Sequence, residues 1–263
     1  MDISRGSVLI AQSKMKRYSE QMKNNDWMLW YSSHYPEIDK YTSWLIPWKV
    51  YTIAGYSNTG KSRFVYWYVN HILNMWKKVI FISLEVDKGL LFQHLCCNRY
   101  NVYNRGLKDE NIDITDFANL LIFDDIYNID EIEELILSEK PDMCVIDFIQ
   151  NIQVTMMSWY EAMAMVARKL QEIAIRSNTI MMDLSQISND TARELSKGNT
   201  SFITLKGAWE FIASSDVVIL LSMMDWDMMV TIAKTKFASK PEESLLYKTD
   251  FGRSKFHYIK SWF

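Results

Sequence analysis

The chain has little of what braces small or strained proteins: three cysteines, eight glycines and four prolines among 263 residues. Cys96, Cys97 and Cys144 make an odd set with no CxxC spacing. They exclude a disulfide framework and read as small buried hydrophobes of a protein kept reduced, as in the cytoplasm. No apolar run approaches the roughly 18 residues of a membrane span, so no transmembrane helix and no membrane partner are expected. The first residues, Met1-Asp2-Ile3-Ser4-Arg5, lack a charged segment leading into a sustained apolar stretch, which argues against a secretory signal. A net charge of −3 excludes a strongly basic protein that coats nucleic acid without regard to sequence. There is no low-complexity tract and no repeat with a period of about 20–50 residues.

What is present is ample material for a core. The chain is 49% hydrophobic and 23% charged, near the globular average, which excludes a disordered or solvating chain. Its length suits one large domain, or one domain with a short arm. The charge is uneven. From 230 to 263 there are seven Lys or Arg against three Asp or Glu, a local net charge of +4.

Residues 7–25 place Val8, Leu9, Ala11, Met15, Tyr18 and Met22 at helical spacing among polar residues. The sequence from 27 to 47 is aromatic and irregular, so 1–40 reads as an arm and linker helix and 41–263 as the main domain. From Lys49 onward, apolar strands at 50–54, 79–84, 120–124, 143–147, 180–184 and 217–221 alternate with amphipathic helices near 61–76, 88–100, 129–139 and 159–177. Continuously apolar strands separated by helices predict an α/β fold, a mostly parallel sheet covered on both faces. After 221 the helical pattern stops, and 229–236, 245–248 and 256–259 read as an antiparallel extension.

Gly55-Tyr56-Ser57-Asn58-Thr59-Gly60-Lys61-Ser62 fits G-x-x-x-x-G-K-[ST] between a strand and a helix. Two glycines let the backbone turn its N–H groups toward one centre, and the helix N-terminus adds positive potential there. Gly55, Ser57, Asn58, Thr59 and Gly60 would cradle phosphates, with Arg63 directly behind them. Lys61 would reach the β- and γ-phosphates of ATP, and Ser62 would give its hydroxyl to Mg²⁺. Ligands of open α/β sheets lie beyond the carboxyl ends of the strands, where two acids are expected. Asp147 closes its strand and would orient Mg²⁺ through water. Glu85 closes another and would polarise an attacking water. Phosphoryl transfer relies on positioning and charge, so one metal-side and one water-side carboxylate suffice. Gln186, after the strand at 180–184, could sense the γ-phosphate.

This order of motifs resembles the RecA-like motor domain of DnaB-type hexameric replicative helicases. The matching stretches are Gly55 to Ser62, Ser83-Leu84-Glu85-Val86, Val145-Ile146-Asp147-Phe148-Ile149-Gln150, Leu184-Ser185-Gln186-Ile187-Ser188, Ser214-Ser215-Asp216-Val217-Val218 and Ile232-Ala233-Lys234-Thr235-Lys236. Pro36-Glu37-Ile38-Asp39 resembles the lead-in segment, so the likeness covers about 36–260. The resemblance implies a RecA-like P-loop NTPase that hydrolyses ATP with Mg²⁺ between subunits of a ring, most simply a homohexamer on single-stranded DNA, with a replication or recombination protein as a further partner. It implies that Glu85 activates water, Asp147 holds the metal and Gln186 couples phosphate to DNA. The basic finger reaching in from a neighbour falls on Lys234 and Lys236.

Three departures stand out. Position 236 is Lys where the family usually carries Arg, and Lys cannot make the planar bidentate contact. Leu205-Lys206-Gly207-Ala208-Trp209-Glu210 replaces an Arg-Glu-Ser-Gly-like run that touches DNA phosphates. The roughly 40 leading residues are also too few for the helical collar of the bacterial enzymes. DNA contact is assigned to Arg193, Lys197 and Lys206, and polar segments 150–160 and 188–204 would face the channel. A phage or mobile-element origin would suit so compact a chain. A RecA-type recombinase, or a regulatory or assembly ATPase that oligomerises with ATP without unwinding, stays open beside the ring motor.

Overall fold

The computed structural model describes residues 31–154, 158–187 and 213–262. The segment 7–25, Arg193, Lys197, Lys206 and Trp209 lie outside them, as do 188–204 and part of 150–160. The elements run α1 (Pro36–Thr42), β1 (Val50–Gly55), α2 (Lys61–Asn74), β2 (Val79–Ser83), α3 (Lys88–Tyr100), β3 (Leu120–Phe123), α4 (Ile129–Glu139), β4 (Met143–Asp147), α5 (Trp159–Ser177), β5 (Ile180–Gln186), β6 (Val217–Met224), β7 (Asp227–Thr235), β8 (Ser244–Asp250) and β9 (Lys255–Trp262). Among the described residues the strands form one nine-stranded sheet in the order β3-β2-β4-β5-β1-β6-β7-β8-β9. Strands β3 to β6 are parallel, and β7, β8 and β9 extend the sheet antiparallel. The expected α/β architecture, with its antiparallel C-terminal extension, is the one observed.

The continuous apolar runs arise because β1, β2 and β4 are buried along their whole length. Alternate residues serve two cores. Tyr51, Ile53, Phe81, Val145 and Leu184 pack with α2 and α3, whereas Val50, Ile80, Ile82, Ile146 and Met181 pack with α4 and α5. Burying one such aliphatic side chain contributes roughly 1.5–3 kcal/mol. Side-chain caps start the flanking helices: Asp87 accepts from Leu90 N–H before α3, Asn128 from Asp130 N–H before α4, and Ser158 with Glu161 forms a capping box on α5. Helix α2 begins differently, at Gly60, with no side-chain cap.

The aromatic stretch read as irregular contains α1 and belongs to the main packing. Tyr35 and Ile38 are buried in the same core as α2, and Tyr35 stacks on Phe64 with ring centroids 4.8 Å apart. Asp39 accepts from the Ser33 N–H at 3.0 Å. Tyr51 Oη donates to the Trp44 carbonyl at 2.9 Å and accepts from the Ile46 N–H at 2.7 Å. Periodicity missed this segment because isolated aromatic anchors, and not a repeating stripe, hold it. No helix among the described residues is long and apolar enough to cross a membrane.

Asp183 lies in mid-sheet, in register with Ile146 on one side and Thr52 on the other. Its Oδ1 is buried with no hydrogen-bond partner among the described residues, and lost hydration pushes its carboxyl up to about 8 from an ordinary 3.8. A raised folded-state value means that the folded chain keeps this proton after the unfolded chain has released it. Asp183 therefore contributes stability that is full below about pH 4 and declines as the pH climbs toward 8. Thermal melts between those limits should show the decline, and Asp183→Asn should flatten its upper part.

Candidate functional site

Strand β1 ends at Gly55, paired with Gln186 of β5 on one side and Leu221 of β6 on the other. The loop from Gly55 to Ser62 therefore leaves the sheet from between two strands. A side chain at Gly55 would bring its Cβ within 2.9 Å of the Leu221 carbonyl oxygen, so the closeness of these strands requires glycine. Asn58 and Gly60 both have left-handed backbone, with φ of 63° and 85°. The loop closes on itself: Thr59 Oγ1 donates to the Tyr56 carbonyl at 2.8 Å, and Lys61 Nζ donates to the same oxygen at 3.0 Å.

The uncapped start of α2 matters here. The first N–H groups of a helix have no partner within the helix, and α2 carries neither a side-chain cap nor an acid in its first turn. Such a terminus attracts an anion. Lys61 is 8% exposed. Burial pushes its ammonium below the ordinary value, and the charges of Asp147 and Glu85 act against that fall. The site thus holds a nearly dry cation beside unused amide donors.

Asp147 closes β4, in register with Ser83 at the end of β2. It is 2% exposed. Burial pushes its carboxyl up to about 6, against a hydrogen bond from Ser62 that lowers it, while Glu85 adds to the rise and Lys61 opposes it. Its Oδ1 has no hydrogen-bond partner among the described residues. A buried carboxylate oxygen without a partner, beside a serine hydroxyl and a phosphate cradle, fits Mg²⁺. That cation takes one or two carboxylates plus substrate phosphates and keeps several waters. No group of three or more His, Cys, Asp or Glu among the described residues could form an all-protein metal cage.

Glu85 does not close β2. The strand stops at Ser83, and Glu85 lies exposed in the bend that follows. Three hydrogen bonds hold that bend: Leu84 N–H to the Asp147 carbonyl at 2.7 Å, Asn151 Nδ2 to the Leu84 carbonyl at 2.9 Å, and Ser83 Oγ to the Val86 carbonyl. Gln186 is the last residue of β5 itself, not the start of a loop, with its side chain exposed. Glu85, Asp147 and Gln186 thus stand at the ends of β2, β4 and β5, which are successive strands leading to β1.

Lys234 and Lys236 are elsewhere. Thr235 pairs with Val217, which pairs with Tyr51 at the start of β1, whereas the phosphate loop leaves β1 at Gly55. Four strand residues separate these ends, about 13 Å. Lys236 Nζ lies 3.0 Å from Asp216 Oδ1, which also pairs with Lys49 at 3.3 Å. Lys234 Nζ donates to the Ala213 carbonyl at 2.8 Å. Burial and the neighbouring Lys236 push the Lys234 ammonium down.

Sequence reasoning missed two features. A cavity of about 970 Å³ opens beside Arg63, lined also by Tyr103, Arg105, Lys108, Gly252 and Arg253. Tyr103 is 55% exposed, and the Arg253 guanidinium lies 5.1 Å from its ring centre. The second is Phe251, whose carbonyl accepts from Arg63 and whose ring packs on Gly60. Neither belongs to a local pattern, because the residues come from α2, the segment after α3 and the turn between β8 and β9.

The DnaB-like helicase C terminal domain model matches residues 31–252. The chain superposes on a separately solved ATPase domain with a TM-score of 0.78 at 16% identity, covering 95% of this chain and 99% of that one. A DnaB-like replicative helicase, solved in a study of its interactions with primase, gives a TM-score of 0.73 at 17% identity over 94% of this chain and 66% of that chain. The KaiC-like protein PH0186 from Pyrococcus horikoshii OT3 gives 0.63 at 14% identity, covering 87% and 98%. At these identities the likenesses show a shared RecA-like fold. No curated protein matches the sequence.

The loop geometry can be tested at Gly60. An added Cβ would lie 2.5 Å from Phe251 Cε1 on a backbone with φ of 85°. Gly60→Ala should lower unfolding stability in urea by at least about 1–2 kcal/mol from the left-handed backbone alone. Combining it with Phe251→Ala should relieve the clash and leave the backbone part.

Proposed function

The chain belongs to the DnaB-like helicase C-terminal domain family, and on that premise we propose that it is an ATP-hydrolysing ring motor acting on single-stranded DNA. One observation carries the reading: the uncapped loop-helix junction at Gly55–Ser62 shares a contiguous row of strand ends with Glu85, Asp147 and Gln186. The phosphates of ATP would lie on the loop amides and Lys61, with Ser62 and Asp147 holding Mg²⁺. When bound, that ion draws charge from the phosphate oxygens. Glu85, solvent-facing and clamped at its bend, would orient a water and take its proton. Gln186 would register the γ-phosphate. The cavity beside Arg63 would receive ribose and base, with Tyr103 offering a ring for stacking.

Lys234 and Lys236 cannot serve their own loop across a separation of about 13 Å. Their position supports a role in trans, one subunit's β7 end facing the next subunit's phosphate loop. A head-to-tail contact of this kind builds a ring when its rotation closes and a filament when it does not, and a closed homohexamer is the proposed assembly. Lys236 would supply a point charge to the developing phosphate charge in place of a bidentate clamp. The proposed DNA contacts are Arg193, Lys197 and Lys206.

Two measurements test this. Mg²⁺-dependent ATP hydrolysis should rise with single-stranded DNA on protein of hexameric mass by light scattering, and Lys61→Ala should abolish it. A rate indifferent to DNA would favour an assembly or regulatory ATPase. Mixing inactive Lys61→Ala with inactive Lys236→Ala subunits should restore about a quarter of the interfaces in a randomly assembled ring. No recovery would remove the trans role.

A further inference from the structure

Past Asp147 the chain makes a 3₁₀ turn, Ile149–Asn151, whose last two side chains are amides aimed at opposite neighbours. Gln150 Nε2 donates to Ser185 Oγ at 2.8 Å and to the Gln186 carbonyl at 3.1 Å, and its Oε1 accepts from the Gln186 N–H at 3.3 Å. Asn151 Nδ2 donates to the Leu84 carbonyl at 2.9 Å. The β4–β5 ladder ends at the pair Ile146 and Asp183. Gln186 extends three residues further, held on its other side by pairing with Gly55. The Gln150 carboxamide therefore stands where β4 would have continued, presenting one donor and one acceptor as a peptide group does.

We propose that Gln150 is a positioning residue that couples the metal-side strand end to the phosphate-sensing one. It rests on the ATPase reading above. Through two hydrogen bonds to the Gln186 backbone and one to Ser185 Oγ, Gln150 makes the end of β5 move with the turn that follows Asp147, and Asn151 extends the tie to the bend carrying Glu85. Any displacement of Gln186 toward a γ-phosphate then reaches the bend that orients the water, and in the other direction the chain leaving Gln186. A carboxamide suits such a linkage because its bonds are neutral and directional, so they carry shifts without adding charge beside Asp147. Sheet completion alone would stabilise β5 without affecting turnover.

The test is a double-variant cycle on the full chain, with kcat and KM for ATP measured alongside melting temperature. Gln150→Met keeps the side-chain length and removes both polar ends. It should lower kcat by tenfold or more, toward the roughly 10²-fold expected when a reacting group is misplaced by about 1 Å, with KM unchanged. Gln186→Ala should lower kcat as well. If Gln150 acts through Gln186, the double variant should be no slower than the slower single one. Losses that multiply, or a Gln150→Met enzyme that melts lower yet keeps wild-type kcat, would overturn the proposal. Wild-type protein without turnover, or Lys61→Ala turning over like wild type, would instead overturn the ATPase reading and this inference with it.

Discussion

A buried ammonium and a buried carboxylate, Lys61 in the uncapped first turn of α2 and Asp147 at the end of β4, stand close together, and the protein leaves both under-satisfied. Lys61 is held by the Tyr56 carbonyl, and one oxygen of Asp147 has no partner among the described residues. Keeping charge in a dry place is costly unless something completes it. Much of the surrounding architecture keeps these groups dry and close. Two glycines bring the loop between β5 and β6, Phe251 packs over Gly60, and buried strands on either side exclude water. A phosphate chain with its cation would supply what is missing at both groups, a charge at Lys61 and a partner for the free Asp147 oxygen.

The same strand geometry that builds this half-site separates it from its proposed complement. Because β6 runs parallel to β1 and β7 returns antiparallel, Lys234 and Lys236 come down at the opposite end of the sheet. Asp216 gathers Lys49 and Lys236 there and accepts the Val50 N–H at 3.1 Å through its second oxygen. The basic end is therefore anchored to the very start of β1, a rigid strand whose other end carries the phosphate loop. The phosphate loop and the basic strand end therefore lie at opposite ends of the same strands, the separation on which the proposed head-to-tail contact rests.

The sequence was legible where the residues of the candidate site are contiguous and silent where they are assembled from distant segments. The eight residues of the phosphate loop are contiguous, so their pattern is visible in the sequence itself. Glu85 was legible as a residue but not in its setting, because the apolar run continues through Leu84 while the ladder stops at Ser83, where Ser83 Oγ turns to the Val86 carbonyl. Gln150 carried no signal of its own: its partners are 35 and 36 residues away. Tyr103 and Arg253 meet only because the segment after α3 and the β8–β9 turn converge.

Hydropathy alone determined the alternation of buried strands and amphipathic helices, since a strand covered on both faces must be apolar at every position and a helix on a sheet must be apolar on one side. The residue pattern from Gly55 to Ser62 likewise located the phosphate loop, because its glycine spacing and following Lys-Ser are demanded by backbone geometry within a few residues. Only the tertiary structure decided that α1 joins the core, that Lys234 and Lys236 lie away from their own loop, and that Gln150 clamps the end of β5. Those outcomes depend on strand order and direction, which arise from packing between residues far apart in the chain and leave no periodic trace along it.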